Sequence, residues 1–219
     1  MFSWVFRATM TAVVAFTTIA LAIPAAASAA VTHHVLTINK VGGANVKVGA
    51  ALKANLQTGT KAVFAAGTAG HVVCKVSTFS VKVTKNPPKP GIADASLTAQ
   101  TFSKCTTTIS NTRSVKSVKL NHLPYKTTIS DAAGLPVTVA AASTTITLNT
   151  TLGTLSCTYK STTSTKGSAS NKTQTITFTK QPFKLSSGPR ACPRKGTFSA
   201  AYGPVLDKSV TGSPHVFVN

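Results

Sequence analysis

Side chains able to do chemistry are scarce in this chain. Its 219 residues contain no Glu, and the only side-chain carboxylates are Asp94, Asp131 and Asp207. A glycosidase-type acid pair, a calcium cage or a two-metal phosphatase centre each needs several clustered carboxylates. Three scattered Asp leave no room for such sites. Five histidines, His33, His34, His71, His122 and His215, are available as bases or ligands. A Ser-His-Asp arrangement is defined by proximity and not by chain order, so a chance triad stays open. Neither a Gly-x-Ser-x-Gly elbow nor a Ser-x-x-Lys motif occurs, however, and no catalytic residue is assigned. If the chain were cut after Ala30, Val31-Thr32-His33 would form a new terminus. Its amine, two amides and third-position imidazole could supply four coplanar nitrogens to Cu(II) or Ni(II). Cutting after Ala29 removes that geometry, and His33-His34 reads equally well as the start of a strand. No metal site and no cofactor are therefore expected.

The four cysteines carry the next signal. Cys74 and Cys105 lie 31 apart in sequence, and Cys157 and Cys192 lie 35 apart. Four cysteines allow three pairings. The spacing favours Cys74–Cys105 and Cys157–Cys192, each closing a loop worth roughly 3 to 4 kcal/mol by chain entropy. Zinc is the competing reading, but no Cys-x-x-Cys occurs.

Residues 1–30 read as a cleaved signal peptide. Arg7 precedes an apolar run from Thr11 to Ile23, Pro24 breaks it, and Ala27-Ser28-Ala29 supplies small residues for cleavage. That run is shorter than the ~20 residues a bilayer-spanning helix needs. The terminal segment Ser213 to Asn219 carries no apolar tail, so the product is expected to be secreted, without an integral membrane anchor.

The chain then has to fold from strands. Threonine is abundant, with 36 copies, and its branched Cβ suits a pleated surface. Period-two alternation recurs: Phe79, Val81 and Val83; Ile146 and Leu148; Leu155, Cys157 and Tyr159; Ile176 and Phe178. Val115 and Leu120 flank another such segment, in which Val118 breaks the alternation. Turn signals fall at Gly42-Gly43, Asn86 to Gly91, Asp131 to Gly134 and Ser186 to Pro189. Ser161 to Thr173, rich in Ser, Thr, Lys and Gly, reads as a long exposed hairpin connection. The fold class is all-β: an antiparallel two-sheet sandwich or distorted barrel with two disulfides. Residues 31–219 form a single domain, with two similar halves meeting near 110–140 as the variant. The expected buried face holds Val72, Cys74, Phe79, Val81, Ile146, Leu148, Leu155, Tyr159, Ile176 and Phe178.

Charge is the loudest feature. Twenty-three Lys and Arg against three Asp give a net charge of +20, which attracts polyanions such as an anionic cell-wall polymer or polysaccharide. The densest group is Arg190, Arg194 and Lys195 around Cys192, with Lys184 nearby. Lys82, Lys85, Lys116, Lys119, Lys172 and Lys180 are scattered at positions expected to face outward on strands. Specific nucleic-acid readers interleave cations with stacking aromatics, whereas Phe79, Phe178 and Tyr159 alternate inward here. No specific nucleic-acid partner is expected. Asn149-Thr150-Thr151 and Asn171-Lys172-Thr173 fit the glycosylation acceptor pattern, as a Thr-rich chain does by chance.

Four segments resemble small secreted proteins of actinomycetes, a group of uncharacterised function. They are Leu123 to Asp131, Leu152 to Tyr159, Cys192 to Tyr202 and Gly212 to Val218. The resemblance implies secretion, four paired Cys and a β-rich fold, and it carries no catalytic residue. Taken together, the sequence predicts a secreted, non-enzymatic β-protein, extracellular or envelope-associated, that binds anionic polymers through a Lys-rich surface. A secreted inhibitor or effector presenting a loop such as Ser161–Thr173 to a protein partner is the alternative. Oligomeric state is left open.

Overall fold

Alternating Thr, Val and Phe build strands almost throughout residues 32–219, the part of the chain described by the computed structural model. The signal-peptide reading of residues 1–30 lies outside the described residues. The first strands are β1 (Leu36–Ile38), β2 (Ala44–Asn45), β3 (Ala51–Asn55) and β4 (Ala62–Ala65), then the long β5 (His71–Lys85) and β6 (Ile92–Thr107). After them come β7 (Thr112–Asn121), β8 (Tyr125–Ser130), β9 (Pro136–Val139), β10 (Ser143–Thr150) and β11 (Gly153–Ser161). The last five are β12 (Thr165–Ser170), β13 (Thr175–Ser187), β14 (Lys195–Tyr202), β15 (Leu206–Asp207) and β16 (Val216–Val218).

Eight of these strands close a ring, in the order β12-β9-β8-β6-β5-β4-β14-β13, with β13 returning to β12. Every ladder is antiparallel, so the fold is all-β and the sandwich-or-barrel question resolves to a closed barrel. Length lets one strand serve two neighbours. The first half of β13 pairs with β12, and its second half pairs with β11. From that fork β11, β10 and β7 extend the sheet beyond the barrel. In the same way β5 gives its first residues to β4 and its later ones to β3. A small sheet in the order β16-β1-β2 is stapled down by Asn86. Its buried amide accepts from the Leu36 N–H and donates to the Leu36 and Val46 carbonyls, each at 2.9 Å.

Inward-facing residues fill the barrel with aromatic rings. Phe198 lies within 6.4 Å, centroid to centroid, of Phe64, Phe102, Phe178 and Phe183. Tyr202 is fully buried and meets the Phe79 ring edge-on at 5.1 Å. Its hydroxyl bonds the Ser77 hydroxyl at 2.9 Å and accepts from the Gln100 amide at 2.8 Å. Of the residues expected on the buried face, Val72, Cys74, Phe79, Val81, Ile146, Leu148 and Phe178 are buried. Leu155, Tyr159 and Ile176 are only half-buried. Val118 is buried because β7 bulges between Val115 and Ser117, a slip that resets the phase of the alternation.

The two expected disulfides are present. Cys74–Cys105 joins directly opposed residues of β5 and β6. Cys157–Cys192 ties β11 to the loop between β13 and β14. One expectation fails. Ser161–Thr173 is not an exposed connection, because its middle forms β12, a stave of the barrel paired to both β9 and β13. The inward positions there are Thr165, Gly167 and Ala169, too small and polar to register as a hydrophobic alternation. At Gly167 the space is already taken. A Cβ on Gly167 would stand 2.8 Å from the Phe178 ring, which lies over it. Lys172 also departs from its expected place, since it sits in the β12–β13 turn and not on a strand.

Candidate functional site

Register assembles the basic residues that sequence could only group by proximity. On β13 Lys184 stands opposite Lys195 of β14, and on its other side opposite Lys160 of β11. All three are exposed. Adjacent strands lie about 4.8 Å apart, so three ammonium stems rise side by side from one row of the sheet. Like charges directly opposite one another repel and destabilise a sheet. Such a row is therefore tolerated at a cost, and an anion laid across it removes that cost.

Arg190 and Arg194 flank the row from the β13–β14 loop, and both are exposed. The loop is held from below. Cys192 is buried in its disulfide to Cys157 on β11, its N–H donates to the Pro189 carbonyl at 2.9 Å, and the Leu185 N–H donates to the Arg194 carbonyl at 2.9 Å. Gly188 makes the close approach possible. It adopts φ +145°, and a Cβ there would lie 2.8 Å from the Cys192 Sγ and 3.0 Å from the Ser156 carbonyl oxygen. Sulfur thus fixes two guanidinium-bearing residues beside a lysine ladder.

No carboxylate answers these charges. Asp94 pairs with Lys126 at 3.4 Å, the one ion pair among the described residues. Asp131 accepts the Gly91 N–H, at 2.9 Å to its nearer oxygen. Asp207 is buried and accepts the Ser209 N–H at 2.9 Å. All three acids are engaged in holding the chain together, and none is paired with Lys160, Lys184, Arg190, Arg194 or Lys195.

The four sequence-predicted residues, Lys184, Arg190, Arg194 and Lys195, therefore lie on one stretch of β13, β14 and their connecting loop. Lys160 was missed. It alternates outward after Tyr159, but only the pairing of β11 with β13 brings it beside Lys184.

The histidines gather nowhere. His71 shares a hydrogen bond with Thr108 at 3.2 Å, and none of the three Asp pairs with a histidine among the described residues. Among those residues, too, no three His, Cys, Asp or Glu side chains are placed to hold a metal ion. His33 enters the small sheet's surroundings, its carbonyl accepting from the Lys89 N–H at 3.0 Å. Two disulfides fit an oxidising, extracellular type of environment. No helix among the described residues is long and apolar enough to cross a membrane. The chain matches no protein-family model, no curated protein and no solved structure.

Proposed function

We propose that this is a secreted, non-catalytic binding protein, extracellular or envelope-associated, that holds anionic polymers against its basic face. The in-register row Lys160–Lys184–Lys195 carries the reading. Each ammonium is a compact point charge suited to phosphate or carboxylate, and the neighbouring Arg190 and Arg194 add planar donors that grip an oxyanion in two places. A polymer with charges at regular intervals along a flexible chain is the class this row suits: phosphodiester-linked wall polymers or acidic polysaccharide. The resemblance to secreted actinomycete proteins is in keeping with that setting. The alternative, an effector acting through Ser161–Thr173, would have to use the ends of that segment, since Thr165–Ser170 is a strand of the barrel wall.

Co-sedimentation with purified cell walls tests the proposal. The bound fraction is expected to fall steeply as salt rises from about 0.05 M to about 0.5 M, because exposed charges are screened over a shrinking distance. The triple variant Lys160→Gln, Lys184→Gln, Lys195→Gln should bind roughly tenfold or more weakly at low salt. Binding indifferent to salt, or a triple variant that binds like the parent, would sink the electrostatic account.

A further inference from the structure

The barrel interior holds a second, chemically opposite feature. Between the aromatic rings and the β8–β9–β12 wall lies a cavity of about 110 Å³. No Lys, Arg, His or Asp contributes to its lining. An eight-stranded barrel is wide enough either to be filled by its own side chains or to hold one small ligand. Here the filling stops short.

Two hydroxyls facing this space have no partner. Thr127 on β8 and Thr165 on β12 are 5% and 6% exposed, and the Oγ1 of each lacks any hydrogen bond. Both line the cavity. They are also coupled by register, since each stands opposite Val139 of β9, one on either side of it. The pair therefore sits on one transverse row of the wall, two strand spacings or roughly 10 Å apart at Cα. Buried polar groups are almost always satisfied, so two orphans on the same row of the same cavity call for an explanation. The other polar groups nearby do not supply it, because the Tyr202 hydroxyl is already bonded to Ser77 and Gln100.

We propose that the barrel cavity binds a small uncharged molecule, a single ring or a short branched skeleton with hydrogen-bonding oxygens, anchored by Thr127 and Thr165. Size sets the first limit. A dry engineered cavity of about 150 Å³ holds benzene, so a space of about 110 Å³ takes an occupant of that order and excludes a long acyl chain. Charge sets the second. A buried carboxylate or ammonium without a counter-ion is too costly to desolvate, and the lining offers none. Geometry sets the third. The separation of the two hydroxyls favours a skeleton with oxygens at opposite ends, such as a dione, diol or hydroxyketone, over a plain hydrocarbon. The lining extends to Ser170, Asn171 and Gln174, all partly exposed, near the β12–β13 turn, which places the approach at that end of the barrel. This site is independent of the basic row outside and takes the opposite kind of ligand.

Titration with 1,4-cyclohexanedione, cyclohexanone and cyclohexane, followed by protein NMR shifts at β8, β9 and β12, tests the assignment. The dione should bind most tightly and the hydrocarbon least. The double variant Thr127→Val, Thr165→Val should weaken dione binding about five- to tenfold per lost bond while leaving cyclohexane affinity unchanged. Valine keeps the side chain's shape, so the variant is expected to fold. Should it not, the comparison of the three ligands on the parent protein still decides. Cyclohexane binding as well as the dione, unchanged dione affinity in the double variant, or long-lived water at both threonines with no ring admitted would each overturn the proposal.

Discussion

Tyr202 concentrates much of the physics of this core in one side chain. It is fully buried, packs edge-on against Phe79 and receives hydrogen bonds on its hydroxyl from within the barrel. Burial pushes its phenol up from the ordinary 10.0 to about 12, and the bonds from Ser77 and Gln100 only partly oppose that rise. The folded state thus holds the phenolic proton more tightly than the unfolded chain does. Stability from this group is complete below pH 10 and drains away as pH climbs from about 10 towards 12. Tyr202→Phe should remove that alkaline loss, read as a flatter plot of denaturation midpoint against pH. At neutral pH the same variant should be less stable by about 1 to 3 kcal/mol, because the buried Ser77 hydroxyl loses its partner. A variant with the parent's alkaline slope would show that another group governs it. Tyr159 is also pushed up to about 12 by burial, so Tyr159→Phe should remove a further part of the alkaline loss over the same pH range.

Among the elements, the β13–β14 loop is the one whose shape depends on a covalent tie. Replacing Cys157 and Cys192 together by Ser should lower stability by about 3 to 4 kcal/mol, as expected for a closed loop of this length. It should also weaken wall binding, since Arg190 and Arg194 lose their fixed stance beside Lys184. Chemical denaturation and the sedimentation assay would read the two effects separately. Loss of stability with intact binding would mean that the arginines need no fixed seat. This loop and its disulfide were legible in the sequence, because cysteine spacing and clustered cations survive without knowledge of sheet order. The long strands were legible as well, through the alternation of Phe79, Val81 and Val83 or of Ile146 and Leu148. Strand β12 was not. Its inward residues, Thr165, Gly167 and Ala169, are small and mixed in polarity, and nothing local announces the Phe178 ring that arrives over Gly167 from the neighbouring strand. Lys160 and the Thr127–Thr165 row stayed hidden for a related reason: each is a property of register between strands far apart along the chain.

At the scale of the whole molecule, a net charge of +20 with a single ion pair among the described residues makes the folded state self-repelling. Raising sodium chloride from about 0.02 M to about 0.2 M should therefore raise the melting temperature by roughly 2 to 4 °C, the shift that about 1 kcal/mol produces in a domain of this size. Differential scanning calorimetry would show it, and a flat response would mean the cations are too dispersed to feel one another. The outermost strand of the extension, β7, has another consequence. It is paired only to β10, and such a rim invites copies of the same chain to stack on it. Yet β7 carries Arg113, Lys116 and Lys119 exposed along its length and a kink between Val115 and Ser117. In a polypeptide this rich in threonine and valine, those charges and that bulge oppose the edge-to-edge pairing from which fibrils grow.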